Sequence, residues 1–92
     1  MAQAHLLLCF RVEDGEIKPV AMDIYSEGIH NITELDGYLH AEVAQWEGDN
    51  FDDARSGLLW FLRAYRRNLF DLVAPEDADE RIQDYEKRHP RT

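Results

Sequence analysis

The sequence predicts an α+β fold: an N-terminal antiparallel β-hairpin packed on two amphipathic helices, with a third helix at the periphery. Three observations carry this. Asp14-Gly15 sits between two apolar runs with strand character. Apolar residues recur at helical spacing across residues 51–73. Pro75 then separates that run from a short, highly charged segment. Ninety-two residues allow one domain, 1–92, with one modest core.

The hairpin comes first. Residues 5–13 and 17–25 read as strands, and Asp-Gly between them suits a primed turn, whose centre needs positive φ. A two-residue loop places Arg11 opposite Lys18 and sets Leu6, Leu8, Phe10, Val12 and Ile17 on one face. Leu7, Cys9, Val20, Met22 and Ile24 then share the other, while a slightly longer loop would shift the register. Pro19 has no amide hydrogen, so it belongs at a bulge, on a non-pairing side or at a sheet edge. Both faces are apolar, so something must cover the second one: a helix, a second copy or a partner.

Residues 33–47 read as a helix. Asn31 or Thr33 offers a cap, Leu35, Leu39, Val43 and Trp46 recur at spacings of four, four and three, and Gly48 supplies an end. The next helix, 51–73, has Asn50 or Asp49 as cap and Asp52 and Asp53 at the positive end of its dipole. Its stripe includes Leu58, Phe61, Leu62, Tyr65, Leu69 and Leu72. A third helix opens near Pro75 and runs to Arg88, with acids at its start and Lys87, Arg88 and His89 at its end. A tail at 90–92 is expected to fray.

Charge limits the possible functions. The net charge is −9, but it is uneven. Residues 1–54 hold twelve acids against Arg11 and Lys18, residues 55–70 hold four arginines and no acid, and residues 71–92 return to −3. Such a chain is repelled by naked nucleic acid and by anionic membranes, and is drawn to basic protein surfaces, including those of ribonucleoprotein complexes. The absence of a basic leader before Leu6, the lack of a spanning apolar run and the single Cys9 point to a cytoplasmic protein. His5, His30, His40 and His89 are scattered, and no phosphate loop or nucleophile elbow is present, so no cofactor, metal site or enzymatic activity is expected.

The residues set aside for binding lie on the long helix, opposite its core stripe: Asp53, Ser56, Trp60, Arg63 and Arg67. Trp60 is out of phase with the core and close to two arginines, and tryptophan and arginine dominate interaction hot spots. It could equally lie under the hairpin's second face or stack inside the chain. A second surface is acidic: Glu42, Glu47, Asp49, Asp52 and Asp53, around the turn between the first two helices. Such a cluster could imitate a row of phosphates.

Two resemblances follow. Gly48-Asp49-Asn50-Phe51-Asp52 resembles the Gly-x-Asn-Leu-Asp segment of barstar-type ribonuclease inhibitors, and the similarity extends from Asn31 to Leu58. It implies that the acidic turn and helix plug a basic active site. In size, acidity and lack of motifs, the whole chain resembles small phage-encoded inhibitors of the anti-CRISPR type, which implies blocking of a nucleic-acid-processing effector complex. The function expected is thus a non-enzymatic inhibitor or adaptor; the alternative is a structural protein that self-associates, for example as a homodimer.

Overall fold

The computed structural model describes residues 1–90, so the expected tail falls outside them except for Pro90. The fold is α+β, with element order β-β-β-β-α-α-α. The strands are β1 (Ala2–Glu13), β2 (Glu16–Tyr25), β3 (Thr33–Leu35) and β4 (Tyr38–Gly48). They form one antiparallel sheet in the order β2-β1-β4-β3. The helices α1 (Phe51–Tyr65), α2 (Arg67–Val73) and α3 (Ala78–Arg88) follow.

The first hairpin has the expected two-residue turn, with Asp14 and Gly15 at φ 52° and 78°. Val12 faces Ile17, and Arg11 faces Lys18. Beyond Lys18 the register shifts: Phe10 pairs with Pro19 but Cys9 with Ala21, leaving Val20 as the extra residue of a bulge. Pro19 therefore lies on an edge strand, beside a bulge, where a missing amide costs no ladder bond. The shift also corrects the expected faces. Met22 and Ile24 stand beside Leu8 and Leu6 rather than with Leu7 and Cys9.

The expected helix at 33–47 is instead a second β-hairpin. Asp36 and Gly37 both have positive φ, 52° and 83°, which repeats the turn chemistry of Asp14-Gly15 and outweighs the helical spacing of four apolar residues. Val43 is the extra residue of a bulge in β4: Leu6 pairs with Ala44, but Leu7 with Glu42. This bulge breaks the period of two that would otherwise have revealed a strand.

The long helix is interrupted. Arg66, at φ −141° and ψ 61°, ends α1 while its amide still reaches the Leu62 carbonyl at 2.7 Å. The turn brings α2 against β2 and buries Phe70, whereas Tyr65 and Leu72, expected in the core, are exposed. Asn50 caps α1 through its side chain, which accepts from the Asp53 amide at 2.8 Å.

The core lies over the N-terminal half of β1. Ala4, Leu6 and Ile24 from the sheet meet Ala54, Leu58, Leu59 and Leu62 of α1, with Ala78 and Ile82 of α3 behind. Each of the large side chains contributes about 1.5–3 kcal/mol by leaving water. The helix α1 is thus sandwiched, with the sheet on one side and α3 on the other. At 1.5 Å per residue its 15 residues span about 22 Å, whereas the 12 residues of β1 span about 40 Å. The strands outrun the helical layer, and the molecule measures 48 × 25 × 22 Å. No described helix is long and apolar enough to cross a membrane.

Candidate functional site

The side of α1 expected to face solvent is instead the side that receives α3. Ser56 and Asp53 are buried. Asp53, 5% exposed, accepts from the Asp49 amide at 3.3 Å, from Arg88 Nη2 at 3.1 Å and from His89 Nε2 at 3.0 Å. Burial alone would push its carboxyl up, but the bonds from His89, Asp49 and Arg88 outweigh that and hold it below its ordinary value of 3.8. Asp53 is the clamp that fixes the C-terminal end of α3 to the first turn of α1.

The expected acidic cluster is divided by the fold. It surrounds the junction of β4 with α1, not a turn between helices. Asp52 is exposed but pairs with Arg81 at 3.1 Å. Glu42 bonds His5 on the other side of the sheet, and Glu47 accepts from Gln3 at 3.3 Å. The basic stretch is likewise largely matched. Arg63 lies 3.3 Å from Asp79 and 3.6 Å from Glu86, both from α3. Arg67, beyond the break at Arg66, pairs with Asp71 at 3.4 Å and lies over the Phe70 ring at 5.5 Å. Trp60 and Arg63 remain neighbours, but Arg67 no longer shares their helix.

Trp60 is half-buried in an aromatic cluster. Its ring centroid lies 5.9 Å from Trp46, 6.3 Å from Tyr65 and 6.3 Å from Tyr85. Trp46, on β4, donates its indole N–H to the Tyr85 hydroxyl at 3.2 Å. Gly57 makes this possible, since a Cβ there would overlap the Trp46 indole and the Tyr85 ring. Trp46, Trp60, Tyr85, Glu86, His89 and Pro90 line an open recess of about 560 Å³. Sequence reasoning missed Trp46 and Tyr85 as members, because they come from a strand and from the outer helix and converge only in three dimensions.

The second surface is the face of the sheet turned away from the helices. With Ala4, Leu6 and Ile24 committed to the core, alternation turns Gln3, His5, Leu7 and Cys9 to the opposite side. There they stand beside Glu47, Gln45, Glu42 and His40 on β4 and Tyr25 and Asp23 on β2. No described helix covers these residues. The segment around Gly28 crosses this face so closely that a Cβ would overlap His5 and Glu42. Beneath it, His5 Nδ1 lies 2.7 Å from Glu42 Oε1. Gln3, His5, Glu27, His30, Glu42 and Gln45 contribute to an open groove of about 780 Å³.

A carboxylate holding an imidazole is half of a general-base arrangement. Among the described residues, no hydroxyl or thiol hydrogen-bonds to His5, and no group of three His, Cys, Asp or Glu side chains converges as a metal site. The one buried side-chain polar atom without a partner among the described residues is His40 Nδ1, across from Cys9 on the same face.

Charge follows the layers. Residues 1–50, which build the sheet and its loops, carry ten acids against Arg11 and Lys18, a net of −8; residues 51–90, the described helical part, carry nine acids against seven bases, a net of −2. A helical layer with nearly matched charges thus backs an acidic sheet, one face of which no described helix covers.

Compared with protein families, with curated proteins and with solved structures, the chain matches none.

Proposed function

We propose that this protein is a non-enzymatic inhibitor or adaptor that lays the uncovered face of its sheet on a basic surface of a partner protein. The observation that carries this reading is the division of charge between the layers: the net of −8 belongs to the layer that has a free face. Complementary charge raises the rate of encounter and fixes register. Leu7, Cys9 and Tyr25 add apolar contact on that face. Proteins that hold nucleic acid present such basic surfaces. The partner class favoured is therefore a nucleic-acid-processing effector complex in the cytoplasm, blocked in the manner of anti-CRISPR-type inhibitors, with no affinity for naked nucleic acid.

The test is affinity capture from the cell of origin with three forms of the chain. Glu27→Lys with Glu47→Lys reverses charge on the sheet face, and Glu76→Lys with Glu80→Lys does the same on the helical layer. The expected result is a basic partner lost by the first pair and kept by the second. Equal retention by all three, or loss only with the second pair, would move the interface elsewhere.

One feature favours self-association as a second reading. Beyond the helices, Val12, Ile17 and Val20 are 54%, 61% and 49% exposed, and β2 is a sheet edge. Unpaired edges with apolar neighbours invite a second copy. Sedimentation at low micromolar concentration decides this, because a monomer there defeats it.

A further inference from the structure

We infer that the open edge of β4 takes up an extended strand of the partner, with basic residues two positions apart, as a further strand of the sheet. This rests on the reading above, that the partner's surface is basic, and it names the stretch of backbone to which the partner bonds.

The sheet ends unevenly beside β4. There β3 covers only residues 38–40, through pairs of Leu35, Glu34 and Thr33 with Tyr38, Leu39 and His40. Beyond His40 no described strand lies on that side, although β4 runs on to Gly48.

The direction of its backbone groups follows from the turns. A two-residue turn makes its flanking residues a hydrogen-bonded pair. Glu13 and Glu16 are such a pair, so odd-numbered residues of β1 aim their amides and carbonyls at β2, and even-numbered ones at β4. Ala4 and Leu6 therefore bond Trp46 and Ala44, and alternation turns the amide and carbonyl of Gln45 and of Glu47 away from β1. The turn at Asp36-Gly37 gives the same phase independently. Leu35 and Tyr38 bond each other, which leaves Leu39 and Ala41 facing β1, opposite Phe10 and Leu8. Gln45 and Glu47 are exposed, and no other described backbone bonds theirs on the outer side. Each keeps a donor and an acceptor for an added strand.

Side chains select which strand fits. Residues directly opposite each other share a face. Positions across from Gln45 and Glu47 therefore project over the uncovered side of the sheet, beside Glu42 and Glu47. Among the described residues the Glu47 carboxylate bonds only the neutral Gln3, at 3.3 Å, so its charge is unmatched. A lysine or arginine opposite it gains a partner, whereas an acidic strand is repelled. A second copy offering the same edge would set glutamates against glutamates, and the bulge at Val43 adds to that protection.

The probe is a blocked heptapeptide of alternating lysine and valine. It is compared with its glutamate counterpart and with a form methylated at every internal peptide nitrogen, which keeps the charge but cannot donate to a sheet. Hydrogen exchange of the Gln45 and Glu47 amides, read by NMR, reports strand addition. The expected result is saturable slowing by the lysine peptide, about tenfold at about ten times its Kd, and none by the other two. Glu47→Gln should weaken the lysine peptide by about two- to fivefold. Gln45→Pro removes an outward amide and no bond to β1, so the sheet tolerates it, and it should weaken the peptide by about tenfold.

No saturable slowing, equal slowing by the methylated form, or protection confined to the β2 edge would overturn the inference. So would slowing of the same amides in the protein alone as its concentration rises, which would give the edge to a second copy. A partner kept by Gln45→Pro but lost by Glu27→Lys with Glu47→Lys removes the edge and leaves the docking face. Protection by the lysine peptide together with a partner kept by that pair removes the docking face and leaves the edge.

Discussion

Asp53 shows how much a single residue depends on its surroundings. Its place in a first helical turn is readable from the sequence as a dipole effect. Its main task, holding Arg88 and His89 from the far end of the chain, is not, because those partners lie 35 and 36 positions away. Replacing it with Asn removes the charge from a buried acceptor and weakens the bonds from Arg88, His89 and the Asp49 amide, and a loss of about 1–3 kcal/mol is expected in urea unfolding at neutral pH. The sign of the pH effect follows from its lowered pKa. The stabilisation is complete above the unfolded value of 3.8 and is lost as pH falls through the lower folded value. The gap between wild type and Asp53→Asn should therefore narrow below that pH, and a constant gap would remove the carboxylate from the account. Gly57 makes the opposite point about local rules. Helix propensity alone favours Gly57→Ala by about 1 kcal/mol. The added methyl meets Trp46 and Tyr85, so a net loss of about 1–3 kcal/mol is expected, with altered tryptophan emission.

At the scale of elements, the two Asp-Gly turns are chemically alike but sit in unlike neighbourhoods. The first lies between obvious strands. The second follows Leu35 and precedes Leu39, Val43 and Trp46, a spacing that imitates a helix because the bulge at Val43 disturbs the alternation of β4. Positive φ at two consecutive residues decides the matter, since a helix cannot contain it. The third helix was legible in its charges, but its role was not. It rests on Ala78 and Ile82, both buried, on Tyr85 against Trp46 and Trp60, and on ion pairs to α1. Ile82→Ala should cost about 2–4 kcal/mol. In hydrogen exchange, α3 should open at lower free energy than β1 and do so more readily still in this variant. Protection of α3 equal to that of β1 would contradict this.

At the scale of the whole molecule, the layers separate two tasks. The helices close the core and largely neutralise each other's charge, while the sheet keeps its acids on and around a free face. If encounter with the partner is steered by this field, the association rate should fall steeply as salt rises from low to physiological strength, while dissociation changes little. A salt-independent association rate, measured by surface plasmon resonance, would argue that the acids serve solubility alone.

Composition, the first turn, the cap at Asn50 and the periodicity of residues 51–62 were enough to determine an acidic α+β domain whose central helix is apolar on more than one side. These are local properties, set by backbone sterics and by the spacing of side chains along three or four turns. The number of strands, the break at Arg66, the burial of Ser56 and Asp53 and the meeting of Trp46, Trp60 and Tyr85 were decided only by tertiary structure. Each depends on residues far apart in the chain competing for the same space, which no window of neighbouring residues contains.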